Sequence, residues 1–151
     1  MLSVGLWLKR RDAAARIAWS LGCAFYVAHV VAAFQFHHHW SHLAAYRETA
    51  QQTADVLGVN WGGGLYFNYG FTILWIADTV WWWRSGVDGY RARPGWVTGG
   101  VHGFFGFMFF NAAVVFGSNF MRWFGLASIL ILTVTAASRF RRSERKWKIV
   151  K

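Results

Sequence analysis

The chain has a single cysteine, Cys23, and a single proline, Pro94, in 151 residues. One thiol cannot build an intramolecular disulfide framework. Cys23 sits in a hydrophobic run and reads as a small packing residue. No stretch rich in proline, glycine and serine divides the chain, and no internal repeat is present, so the sequence reads as one domain. Charge is also scarce. Only 15% of residues are charged, against about 25% in soluble domains, and most lie in three short stretches. Signatures of soluble catalysis are missing too, with no glycine-rich phosphate loop and no nucleophile elbow.

What is present is apolar and aromatic. Hydrophobic residues make up 56% of the chain, aromatic residues 20%, and there are eleven tryptophans. Four segments, about 16–36, 64–83, 97–117 and 120–138, each approach the roughly 20 residues a helix needs to cross a bilayer core. The expected fold class is an all-α integral membrane protein. It is a four-transmembrane-helix bundle with both termini cytoplasmic and an amphipathic outer helix between spans one and two.

The net charge of +10 sets the orientation. Lys9, Arg10, Arg11 and Arg16 precede span one; Arg84, Arg91 and Arg93 follow span two; seven more form a basic tail at 139–151. Only Arg47 and Arg122 fall on the opposite side. The positive-inside rule therefore places both termini in the cytoplasm, in a multi-pass protein of the inner (cytoplasmic) membrane. Tryptophans mark both boundaries, Trp19, Trp81, Trp82, Trp83 and Trp96 inside, Trp40, Trp61 and Trp123 outside. Nucleic acid is not expected as a partner, because the basic residues cap apolar segments and do not share a face with stacking aromatics. The tail is a topology determinant or an anionic-lipid contact. A cleaved signal peptide is the competing reading of the first 35 residues, but its apolar core should span 7–15 residues. Span one is longer and runs straight into FQFHHHW.

The segment SHLAAYRETAQQTADVLG is rich in helix formers and ends at Gly58, a good helix stop. It predicts an outer helix over 41–57, with Leu43, Tyr46, Ala50 and Leu57 on its buried stripe and Glu48, Gln51 and Asp55 in water. The three glycines in NWGGGLYFNYG then permit a tight return or a close backbone approach.

Four of the six histidines fall in FHHHWSH, residues 36–42. On a continuous helix His38 and His42 are one turn apart, and so are His39 and His42, the spacing with which helices present metal ligands. Imidazole suits copper or zinc among others. His37, His29, Tyr46 or Asn68 are possible further ligands. The competing reading is a polar belt where helix meets water. His29 in span one, Asn68 in span two and Asn111 in span three lie at comparable outer depths, which predicts an outer polar pocket able to hold a cofactor. Haem is the less favoured occupant: His29 and His102 are separated by roughly 12 Å along the membrane normal, so a haem would need His29 with a histidine of the cluster. Asp78 and His102 share an inner depth, which predicts a buried polar pair, with Asp78 reaching to Arg84 as the alternative. Gly99, Gly103 and Gly106 share one face of span three and extend toward Ala113 and Gly117, a small-residue pattern that lets helices approach closely.

Three functions fit these features. The first is an accessory subunit or assembly factor of a membrane complex, with an outward histidine-rich site for copper or zinc. The second is a membrane redox enzyme or electron carrier using haem, quinone or metal at the outer pocket. The third is a structural or lipid-interacting protein without a cofactor. The bilayer, and a membrane-protein partner or second copy, are the expected partners.

Overall fold

A computed structural model describes residues 12–118, 120, 122–123, 125–131 and 133–135. Lys9, Arg10, Arg11 and the basic tail 139–151 lie outside the described residues, as do parts of span four. The described residues are helical, with no strand among them. Helix α1 covers Asp12–Ala33 and continues through a wide π turn, Phe34–His38. Helix α2 covers His42–Leu57, α3 covers Gly64–Arg91, and α4 covers Gly95–Phe110 with its own π turn at Asn111–Val115. A shorter apolar helix, α5, covers Gly125–Thr135.

The core forms where α1 and α3 run antiparallel. Ala15, Trp19 and Cys23 are buried and recur every fourth residue, the spacing that puts side chains on one helix face. Their stripe meets α3. Asp12 pairs with Arg91 at one end, and Trp83 Nε1 donates to Ser20 Oγ at 2.8 Å. In the middle Tyr26 meets Phe71 edge-on at 5.0 Å and tilts against Trp75 at 5.6 Å. At the other end Phe34 lies 6.3 Å from Tyr69. Helix α4 closes this pair through Phe105, which stacks on Trp19 at 4.7 Å and meets Trp75 edge-on at 5.0 Å. Aromatic pairs in these geometries add to the stabilisation from area burial alone.

Two stretches, Asp12–His38 and Gly95–Val115, are helical, long and apolar enough to cross a membrane. Only 11% of each apolar window is buried within the protein, whereas the core helix of a soluble protein is mostly buried. Ile17, Leu21, Phe25 and Val31 of α1 all point outward. Exposed apolar surface of that extent calls for lipid or a partner. The expectation of four such helices is met in part. Helix α3 has the length, but its tryptophans, tyrosines and Asp78 lower its mean hydropathy.

The outer helix begins and ends where local rules place it. Ser41 is its N-cap, accepting from the Ala44 amide at 3.2 Å, and Gly58 closes it at φ 73°. Ser41→Ala should cost about 1 kcal/mol of stability. Hydrogen exchange at the Ala44 amide checks this, and it should speed up before any change elsewhere.

The buried stripe of α2 differs from the sequence expectation. Ala45, Ala50 and Thr53 are buried, while Leu43 and Leu57 are exposed. The reason is close approach. A side chain at Gly62 would sit 2.4 Å from the Tyr46 carbonyl, and one at Gly64 would press Thr49 at 3.2 Å. The glycines thus let the small face of α2 lie on the start of α3, and the leucines are left outside.

Candidate functional site

Three features of the fold are candidates for function: an outer cleft, an inner buried ion pair, and an open face of α4.

The outer cleft lies between α2, α3 and α4 and encloses about 300 Å³. Asn68 and Asn111 both line it, as their matched depths predict. Thr49, Gln52 and Thr53 enter from α2, and Trp61, Phe67 and Phe107 supply aromatic walls. The contributions of α2 and of Trp61 are not foreseen by depth matching, because they come from the outer segment folding back over the bundle. Asn111 opens the π turn of α4 and donates Nδ2 to the Phe107 carbonyl at 2.8 Å. Single π turns within helices recur at functional sites.

His29 does not join this cleft. Its side chain is exposed on the outside of α1, away from the Ala15–Trp19–Cys23 stripe.

The histidine cluster is dispersed as well. The π turn ends at His38, and His39 (φ 48°) and Trp40 (φ 58°) both adopt the left-handed conformation before Ser41 caps the next helix. His38 and His42 therefore belong to different helices, and the one-turn spacing of a continuous helix does not exist. His38 Nδ1 lies 3.4 Å from Glu48 Oε2. His42 Nδ1 lies 3.1 Å from the Tyr69 hydroxyl, with the rings of Tyr46, Tyr66 and Tyr69 at 6.4, 5.8 and 5.9 Å. His37 and His39 are exposed. Among the described residues no three His, Cys, Asp or Glu side chains converge on a point that could hold an ion. The expected copper or zinc site on His37, His38, His39 and His42 thus finds no ligand set there. The helix break is the physical reason.

At the inner end, Asp78 does not pair with His102 or reach to Arg84. Its partners are Arg93, whose Nη1 donates to Oδ1, and Tyr90, whose hydroxyl donates to Oδ2 at 2.8 Å. The Asp78 and Arg93 side chains are 2% and 1% exposed. His102 Nδ1 instead lies 2.8 Å from the carbonyl of Thr98, one turn back on its own helix. Gly86 causes the rearrangement. At φ 68°, ψ −174° it breaks α3, in a backbone region open essentially to glycine alone. The chain beyond it turns so that Tyr90 stacks on Trp82 at 4.2 Å, nearly parallel. The Arg93 guanidinium then covers the other face of Tyr90 at 3.9 Å, and its Nε donates to Thr98 Oγ1 at 2.9 Å. A permanently charged, forked guanidinium is a stronger partner for the carboxylate than an imidazole. The signal for this in the sequence is RSGVDGY followed by Pro94-Gly95, which marks a turn before the next span.

Tyr90 lies beyond the apolar stretch 64–83 of α3. Its burial, and then the Asp78 carboxylate beside it, push the phenol well above its ordinary value of 10.0. The unfolded chain releases this proton near pH 10, while the folded protein holds it. Stability from this group is thus complete below about pH 10 and is lost as pH rises further. Unfolding midpoints measured between pH 8 and 11 should fall above pH 10, and Tyr90→Phe should flatten that fall.

The third feature is the glycine face of α4. A β-carbon placed on Gly95, Gly99, Gly103 or Gly106 would meet nothing within 4 Å. These positions lie on the side of α4 opposite to buried Val101. At the outer end the small-residue run does have an internal mate, because a β-carbon on Gly125 of α5 would come within 2.8 Å of the Ala113 side chain.

Comparison with protein-family models, with curated proteins and with solved structures gave no match.

Proposed function

We propose that the chain is a four-span protein of the inner membrane, with both termini cytoplasmic, that serves as an accessory subunit or assembly factor by docking another membrane protein on α4. One observation carries this reading. Among the described residues, nothing covers the glycine face of α4 along Gly95, Gly99, Gly103 and Gly106, on a helix apolar enough to span. In lipid, apolar side chains gain little by leaving one apolar medium for another, so helices associate by close backbone packing. A run of glycines lets a second helix approach more closely than any other residue does. Phe110 stands at the end of the same face and is 44% exposed. It is a flanking contact for such a helix.

The test is a photo-cross-linking phenylalanine at position 110 in native membranes, with Phe105, packed on Trp19, as the internal control. Position 110 should give one adduct of defined mass, and Gly103→Leu should remove it without lowering the unfolding temperature. Lipid adducts alone, or a cross-link back to α5 of the same chain, would contradict the docking role.

A further inference from the structure

The outer cleft has a chemistry that the docking role does not use. None of the described residues that line it is charged. A phosphate, carboxylate or ammonium group would enter without a counter-charge, and burying a lone charge is strongly unfavourable. Its occupant is therefore neutral. Its polar rim offers hydroxyl and amide acceptors beside amide donors. The Thr49 hydroxyl donates to the Ala45 carbonyl at 2.9 Å, and that of Thr53 donates to the Thr49 carbonyl at 2.8 Å. Both protons are committed to α2, so these hydroxyls offer only lone pairs. Asn111 has one Nδ2 proton on the Phe107 carbonyl, which leaves its Oδ1 and its second Nδ2 proton for a ligand, and Asn68 lines the same cleft. The walls are planar. Phe67 and Phe107 lie 5.9 Å apart, and Trp61 meets Phe67 edge-on at 6.4 Å. The cleft volume of about 300 Å³ is at the lower end of the range for small-molecule sites, enough for a ring headgroup whose tail lies in lipid.

We propose that this cleft binds a neutral, lipid-soluble aromatic alcohol of the phenol or hydroquinone class, with its hydroxyls donating to acceptors drawn from Asn68, Asn111 and the α2 threonines. The ring packs against the aromatic walls. This site is separate from the glycine face, so either can fail without the other.

The test uses the detergent-solubilised full chain and three probes with the same decyl tail: a hydroquinone held reduced, its dimethyl ether, and decylbenzene. The ether keeps the ring and removes both donors. Calorimetric titration should show saturable binding of the hydroquinone at one site, and binding of the ether and decylbenzene weaker by about tenfold or more, the effect of two lost hydrogen bonds. Asn68→Leu and Asn111→Leu should each weaken hydroquinone binding several-fold, by about one hydrogen bond. Equal binding of all three probes would mean partition into an apolar space and would overturn the proposal. So would hydroquinone binding that both leucine variants leave unchanged. The probe comparison needs no variant and stands even if a substitution impairs folding.

Discussion

Arg93→Ala should destabilise the protein by about 3–5 kcal/mol, the range for removing one partner from a buried ion pair. The loss comes less from the missing attraction than from what remains. Asp78 would keep its carboxylate in a site 2% exposed, with only the Tyr90 hydroxyl to satisfy it. Arg93 also stacks on Tyr90 and bonds Thr98, so its truncation unfastens the α3–α4 turn as well. The double variant Asp78→Asn, Arg93→Met should recover much of the loss, because an uncharged pair of similar volume does not leave a charge stranded. Equilibrium unfolding in mild detergent, read by circular dichroism across the parent, Asp78→Asn, Arg93→Met and the double variant, measures the coupling. A coupling above about 1 kcal/mol is expected. Additive losses would mean that the two residues act independently.

Gly86→Val should also destabilise the protein, by about 1–3 kcal/mol or more. The glycine occupies φ 68°, ψ −174°, where a branched side chain clashes with its own backbone at a cost of about 1–3 kcal/mol. The chain can relieve that strain only by continuing α3 as regular helix. Tyr90 and Arg93 would then swing away from Asp78, and the penalty of the stranded carboxylate would take the place of the strain. Gly70→Ala is the control, since a β-carbon there meets nothing within 4 Å and alanine favours the helix by roughly 0.5–1 kcal/mol. The same unfolding measurement should show Gly86→Val unfolding far earlier than the parent, and Gly70→Ala no earlier. Equal stability of the two variants would show that the Gly86 conformation is dispensable.

These two predictions concern residues whose partners the sequence does not reveal, and the reason is common to both. Depth matching treats each span as a straight helix. It places Asn68 and Asn111 together, and the cleft contains both. It also sets Asp78 level with His102, but it cannot see that Gly86 folds the chain back to deliver Arg93. Depth says nothing of direction around a helix. His29 points outward. The histidine cluster fails differently. Its one-turn spacing assumes an unbroken helix, and two non-glycine residues, His39 and Trp40, take left-handed conformations that no local sequence rule announces. The limits of α2 were legible because a serine cap and a glycine stop are local signals. Its buried face was not, because hydrophobicity ranks Leu43 above Ala45 while packing against glycine rewards the smaller residue.

The docking face and the outer cleft both depend on α2 lying on the opposite side of the membrane from the α3–α4 turn. Labelling with a membrane-impermeant maleimide tests this most directly, in a Cys23→Ser background that carries either Gln51→Cys or Asp88→Cys, both at exposed positions. In intact cells with a permeabilised outer envelope, Gln51→Cys should be labelled and Asp88→Cys should stay unlabelled until the inner membrane is opened. Labelling of both positions only after the inner membrane is opened would put α2 and the turn on one side, and would contradict the four-span arrangement.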